Sequence, residues 1–155
     1  MTMDYKRYPP DWAEISQRIR FERAQGKCEQ CGLPHGAIIM RSTVDAARYL
    51  ILNSEGVWET PDGDWVRLSE LPREFDESDV SKVVLTTHHV GAPKPDGTPG
   101  DRHDKLDCRD ENLMALCQRC HFIADLDIHI EKARKARLAN KRKRVLATGQ
   151  LELGI

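Results

Sequence analysis

Two C-x-x-C pairs, Cys28 with Cys31 and Cys117 with Cys120, lie far apart in a chain of 155 residues. They constrain the fold more than any other feature. Thiolates presented on tight C-x-x-C turns reach one tetrahedral ion without strain, so the four cysteines together make a closed structural zinc site. That site ties an N-terminal knuckle to the start of a downstream helix, and its metal-binding free energy becomes folding free energy. In a reducing compartment such pairs read as a metal site before they read as disulfides. A thioredoxin-like redox pair competes for either unit alone, but two units argue against it. Cys108 has no spacing partner and reads as a buried or loop thiol rather than a ligand.

A chain of this length, 39% hydrophobic, supplies one modest core. We expect a single domain, 1–155, with extensions. The segment DWAEISQRIRFERAQG follows Pro9-Pro10, with Asp11 placed to cap a helix and Glu14 to complete a capping box. Trp12, Ile15 and Ile19 share one face, Gly26 ends the helix, and KCEQCG forms the knuckle, which accounts for residues 1–32. Residues 33–82 are an insertion. Its short apolar runs and the Pro-Asp-Gly turn of TPDGD predict a small antiparallel elaboration, while SELPREFDESDVS reads as a surface loop or short helix. VVLTT is a strand ending in His88-His89, and GAPKPDGTPGDRHDKLD is a broken loop of the kind found beside functional sites. From Gln118 to Gly149 no glycine or proline interrupts the chain, so one long helix or two in series follow.

The formal net charge of −1 conceals a segregation. From Glu131 to Arg144 the chain carries eight basic residues and one acid, whereas Glu55 to Asp79 carries nine acids and two arginines. The basic end suits a polyanionic partner, although a charge run also serves as a solvated helix face. Lys132, Arg134, Lys135, Arg137, Lys141, Arg142, Lys143 and Arg144 spread around the helix, an arrangement fitted to phosphate contact rather than base reading. Aromatic content of 6% gives little sign of a stacking platform for single strands. No apolar run is long enough to span a bilayer, and MTMDYKRYPPDW lacks a secretory pattern, so the expectation is a cytosolic protein with no membrane partner.

The stretch LCQRCHFIADLDIH places His121 directly after the last cysteine, with Asp125 and His129 at helical intervals. Adjacent helical residues point about 100° apart, so His121 faces away from a zinc held by Cys120. The stripe it begins is free for another ion. Asp125 is either a third ligand of that ion or a partner that orients a histidine. His129 is assigned to structure or DNA contact.

The ordered set VVLTTHHV, RDENLMALCQRCH and the earlier CEQCG resembles the HNH endonucleases of the ββα-metal type, particularly the small zinc-containing, phage-type members. The resemblance covers Lys27 to Gly32 and Val83 to about His129, and the YPPDW opening also looks like such proteins. A proline that often follows the second histidine at three positions is delayed here to Pro93. The resemblance implies an α+β fold: a treble-clef, ββα-metal core at 83–130 stapled by the four-cysteine zinc, with the β-rich insertion and a long basic C-terminal helix in 131–155. It implies His89 as the general base, its neutral imidazole titrating near the working pH. It further implies His88 and His121 as ligands of one divalent cation, with Asp125 as a third, and Asn112 as the brace that orients His89 through backbone hydrogen bonds. Histidine ligands accept magnesium, manganese, nickel or zinc. The implied activity is metal-dependent hydrolysis of DNA, nicked or cut in both strands, to 5′-phosphate and 3′-hydroxyl ends, in a bacterial or phage-encoded protein. The rivals are a non-catalytic zinc-stabilised DNA-binding module and an adaptor of a phage assembly or packaging complex that docks a protein through the acidic insertion.

Overall fold

The computed structural model describes residues 5–147. Residues 148–155, the end of the predicted C-terminal extension, lie outside them, as do residues 1–4. The chain divides after Cys120 into two compact units, Met1–Cys120 and His121–Ile155.

The first unit is mixed α and β. Helix α1 (Trp12–Gln17) runs directly into a π-helical segment, Arg18–Arg23. Asp11 precedes α1 but its carboxylate makes no capping bond, so the predicted capping interaction does not form; Pro9 instead accepts from the Trp12 amide through its carbonyl. The predicted apolar face is present: Trp12 and Ile19 are buried with Leu113 and Ala115, and Ile15 packs against them. The chain then turns through Gln25 (φ 52°) and Gly26 (φ 70°) into the knuckle, where the Gly32 amide donates to Cys28 O at 2.8 Å.

The insertion is more regular than its sequence suggests. Strands β1 (Ile38–Ser42), β2 (Tyr49–Leu52), β3 (Trp58–Glu59), β4 (Trp65–Val66) and β5 (Phe75–Lys82) form one antiparallel sheet in the order β4-β3-β2-β1-β5. Thr60 and Gly63 close the predicted TPDGD turn between β3 and β4. The acidic segment read as a loop or short helix holds only a short 3-10 turn, Leu68–Glu70, and then becomes the eight-residue strand β5. Beyond Phe75 every side chain of β5 is exposed. Its strand conformation comes from backbone pairing with β1 and not from burial, so no apolar alternation announces it.

Strands β6 (Leu85–His89) and β7 (Leu113–Cys117) pair antiparallel, with His89 opposite Leu113 and Leu85 opposite Cys117. A 3-10 turn, Asp110–Asn112, leads into β7. Beyond β7 the chain is helical in two pieces, α2 (Gln118–Ala124) and α3 (Leu126–Ala147). Among the described residues no helix is long and apolar enough to cross a membrane.

Candidate metal and histidine sites

The four predicted cysteines converge. Cys28 and Cys31 come from the knuckle, Cys117 from the end of β7 and Cys120 from the first turn of α2, and their sulfur atoms lie within 4.8 Å of one another. Cys31 Sγ and Cys117 Sγ are 3.7 Å apart. Two sulfurs on one tetrahedral zinc, each about 2.3 Å from the ion, are separated by roughly 3.8 Å, so the donor set fits zinc. Burial alone would raise the pKa of the Cys28 thiol, but the backbone N–H groups of Cys117, Cys31 and Gln30 together outweigh it and hold the value down. Burial pushes Cys31 and Cys120 up, and for Cys120 the neighbouring sulfurs of Cys31, Cys117 and Cys28 add to it. The cluster could hold structural zinc, whose charge would favour the thiolates.

Sequence-distant groups stitch this knuckle to β7. Glu29 donates its amide to Ala115 O and receives the Ala115 amide on its carboxylate. Arg23 grips the same carboxylate and donates to Leu113 O. On the other side, His35 Nδ1 accepts from the Leu85 amide. Spacing gave no signal of these three residues, because their partners on β6 and β7 lie 50 to 90 positions away.

His88 and His89 end β6 and point to opposite faces, as consecutive strand residues must. Both are buried. His89 is only 2% exposed and stacks on Trp12 at 5.3 Å between centroids, with Tyr8 at 6.0 Å. Desolvation, aided by Lys105 and His88, lowers its pKa to about 4 against the opposing pull of Asp107 and Asp104. The expectation of a histidine titrating near the working pH is thus corrected: burial holds this imidazole neutral well below that range. Its Nε2 is the one buried side-chain nitrogen or oxygen without a hydrogen-bond partner among the described residues. Buried acceptors are nearly always matched, and the exceptions concentrate where function requires them. The aromatic pocket was legible only as the YPPDW motif; that it surrounds His89 was not.

Asn112 is wholly buried. Its Oδ1 accepts from the amides of Gly91 at 2.9 Å and Ala92 at 2.8 Å, its Nδ2 donates to Asp107 O at 2.8 Å, and its own carbonyl receives the Val90 amide. The side chain thereby holds the Gly91 and Ala92 amides while the backbone carbonyl holds that of Val90, so Asn112 ties down the peptide units that follow His89. Cys108 is half-buried against the Trp12 cluster with its thiol on Lys105 O, a loop thiol as anticipated.

In the second unit, His121 Nε2 lies 3.4 Å from an Asp125 carboxylate oxygen one helical turn on. His129 stacks on Phe122 with centroids 5.0 Å apart, and its amide bonds to Asp125 O. The basic residues predicted for DNA all lie on α3 between Lys132 and Arg144, and all are exposed. Lys135 pairs with Glu131 at 2.7 Å, a surface contact worth little.

No protein-family model, curated protein or solved structure matches this chain.

Proposed function

We propose that the chain is a metal-dependent DNA endonuclease of the HNH type, with a treble-clef, ββα-metal core held by a four-cysteine zinc. The observation that carries this reading is the junction of His89 and Asn112. A buried, neutral imidazole with an unmatched nitrogen ends one strand, and a wholly buried amide pins the backbone immediately beyond it.

A neutral histidine is the form that accepts a proton, and His89 takes one from the attacking water on a ring nitrogen. Asn112 fixes that imidazole's height and direction by holding the loop. By the HNH resemblance, His88, His121 and Asp125 are the residues that would hold a divalent cation; two imidazoles and a carboxylate would suit magnesium, manganese, nickel or zinc. When bound, such an ion offsets charge on the scissile phosphate and on the leaving 3′ oxygen. The basic side chains of α3 bind the DNA backbone through Lys132, Arg134, Lys135, Arg137, Lys141, Arg142, Lys143 and Arg144. The exposed acids of β5 repel that backbone, so we assign this strand to a protein partner instead.

The exposed basic residues of α3 also favour a second reading, a zinc-stabilised DNA-binding module without catalysis. Supercoiled plasmid incubated with zinc-loaded protein across magnesium, manganese, nickel and zinc separates the two. Nicking that needs an added cation supports the nuclease. A gel shift without nicking under any cation leaves the binding module.

A further inference from the structure

The loop between His89 and Asn112 is gripped from a second side by a group that the nuclease reading does not use. Arg109 meets both carboxylate oxygens of Asp107, Nε to Oδ1 at 2.7 Å and Nη2 to Oδ2 at 2.8 Å. The Asp107 side chain is only 6% exposed, so this is not a loose surface pair. The guanidinium then reaches forward to the loop: Nη2 donates to Ala92 O and Nη1 to Pro93 O, each at 3.2 Å. Asn112 meanwhile receives the amides of Gly91 and Ala92. The loop is therefore held at the N–H groups of Gly91 and Ala92 by an amide and at the carbonyls of Ala92 and Pro93 by a guanidinium.

Both clamps meet on one residue. Asp107 orients Arg109 with its carboxylate and receives the Asn112 amide on its carbonyl. Gly100 packs close against the same loop, where an added methyl would overlap the carbonyl oxygens of Ala92 and Gly91. Only a planar fork with several donors can bind a carboxylate in two places and two carbonyls at once, which a lysine ammonium cannot reproduce.

We propose that Arg109, oriented by Asp107, is a positioning residue that fixes the Gly91–Pro93 backbone and through it the His88–His89 pair at the end of β6. Its effect on the loop stands independently, whereas its effect on catalysis rests on the nuclease reading. A histidine displaced by even an ångström from its working geometry loses on the order of 100-fold in rate.

The test measures amide hydrogen exchange and plasmid nicking on zinc-loaded Arg109→Ala, Arg109→Lys and Asp107→Asn proteins. In Arg109→Ala the Gly91 and Ala92 amides lose about ten-fold in protection, while the knuckle amides of Cys28 and Gly32 keep theirs. The maximal nicking rate falls roughly 100-fold with the half-saturating DNA concentration unchanged. Asp107→Asn moves both readouts the same way by less, and Arg109→Lys recovers little of either. Unchanged protection at Gly91 and Ala92 would overturn the proposal, and so would lost protection with an unaltered nicking rate. Equal loss at loop and knuckle amides in all three variants would also overturn it, since that marks a general stabiliser. If the wild type never nicks, the nuclease reading is what fails, and the exchange result alone decides whether Arg109 sets the loop.

Discussion

The five-stranded sheet buries Met40, Leu50, Trp58 and Phe75, all apolar, whereas the β6–β7 pair buries His88 and His89 and ends against buried Asn112 and two zinc-type cysteines. The larger sheet is held by packing, so its order depends on side-chain volume. The smaller one also buries Leu85, Leu113, Ala115 and Leu116. Its order depends in addition on hydrogen bonds that match buried polar groups and on the sulfur cluster at its end. Buried polar groups tolerate only the geometry that satisfies them, and it is to this second region that we assign the proposed chemistry.

Removal of metal gives the largest effect that separates the two regions. Structural zinc contributes on the order of 10 kcal/mol in small zinc-dependent folds. Chelation should abolish amide protection in β6, β7 and the knuckle before it does so in β1 and β2, as hydrogen exchange with mass spectrometry will read. Simultaneous loss everywhere would break the comparison. Truncating the apolar core acts in the opposite sense. Trp58→Ala should cost about 3–5 kcal/mol in urea unfolding while zinc content stays at one ion per chain; zinc lost along with it would show that the sheets do not stand apart.

The buried imidazole sharpens the comparison further through pH. The folded-state pKa of His89 is depressed to about 4 from 6.5, so folded protein resists a proton that the unfolded chain accepts. Its contribution is fully present above pH 6.5 and is lost as pH falls toward 4, by about 3 kcal/mol in all. Unfolding free energies of wild type and His89→Gln over this range should diverge by that amount. Acid loss of zinc is common to both proteins and cancels. Parallel curves would mean that the imidazole is not held neutral.

The smallest effect lies outside both sheets. Arg142→Ala should weaken DNA binding similarly for all sequences and reduce the slope of log affinity against log salt by about one. A loss confined to one sequence would identify a base contact instead.

The parts of the molecule legible in the sequence were those set by local spacing. The C-x-x-C pairs, the strand ending in His88-His89, the TPDGD turn and the apolar face of Trp12, Ile15 and Ile19 each follow from residues a few positions apart. Strand β5 was not legible because beyond Phe75 its side chains are exposed on both faces and its order comes from backbone pairing. Asp11 mimicked a cap that the preceding Pro-Pro turn replaces with a backbone bond. The depressed pKa of His89 was hidden because the aromatic rings that enclose it come from α1 and the turn before it, about eighty positions earlier in the chain. Arg109 and Asp107 carry no spacing signal; only the fold brings the Arg109 guanidinium, with Asp107 behind it, onto the carbonyls beyond His89.

The most direct test of the central claim compares His89→Ala with wild type, both folded and zinc-loaded, in plasmid nicking with the cation that works best. Loss of a general base costs about 100-fold to 10,000-fold, and the account predicts a loss in that range with DNA binding retained. A variant that nicks at the wild-type rate would remove His89 from the chemistry and contradict the proposed mechanism.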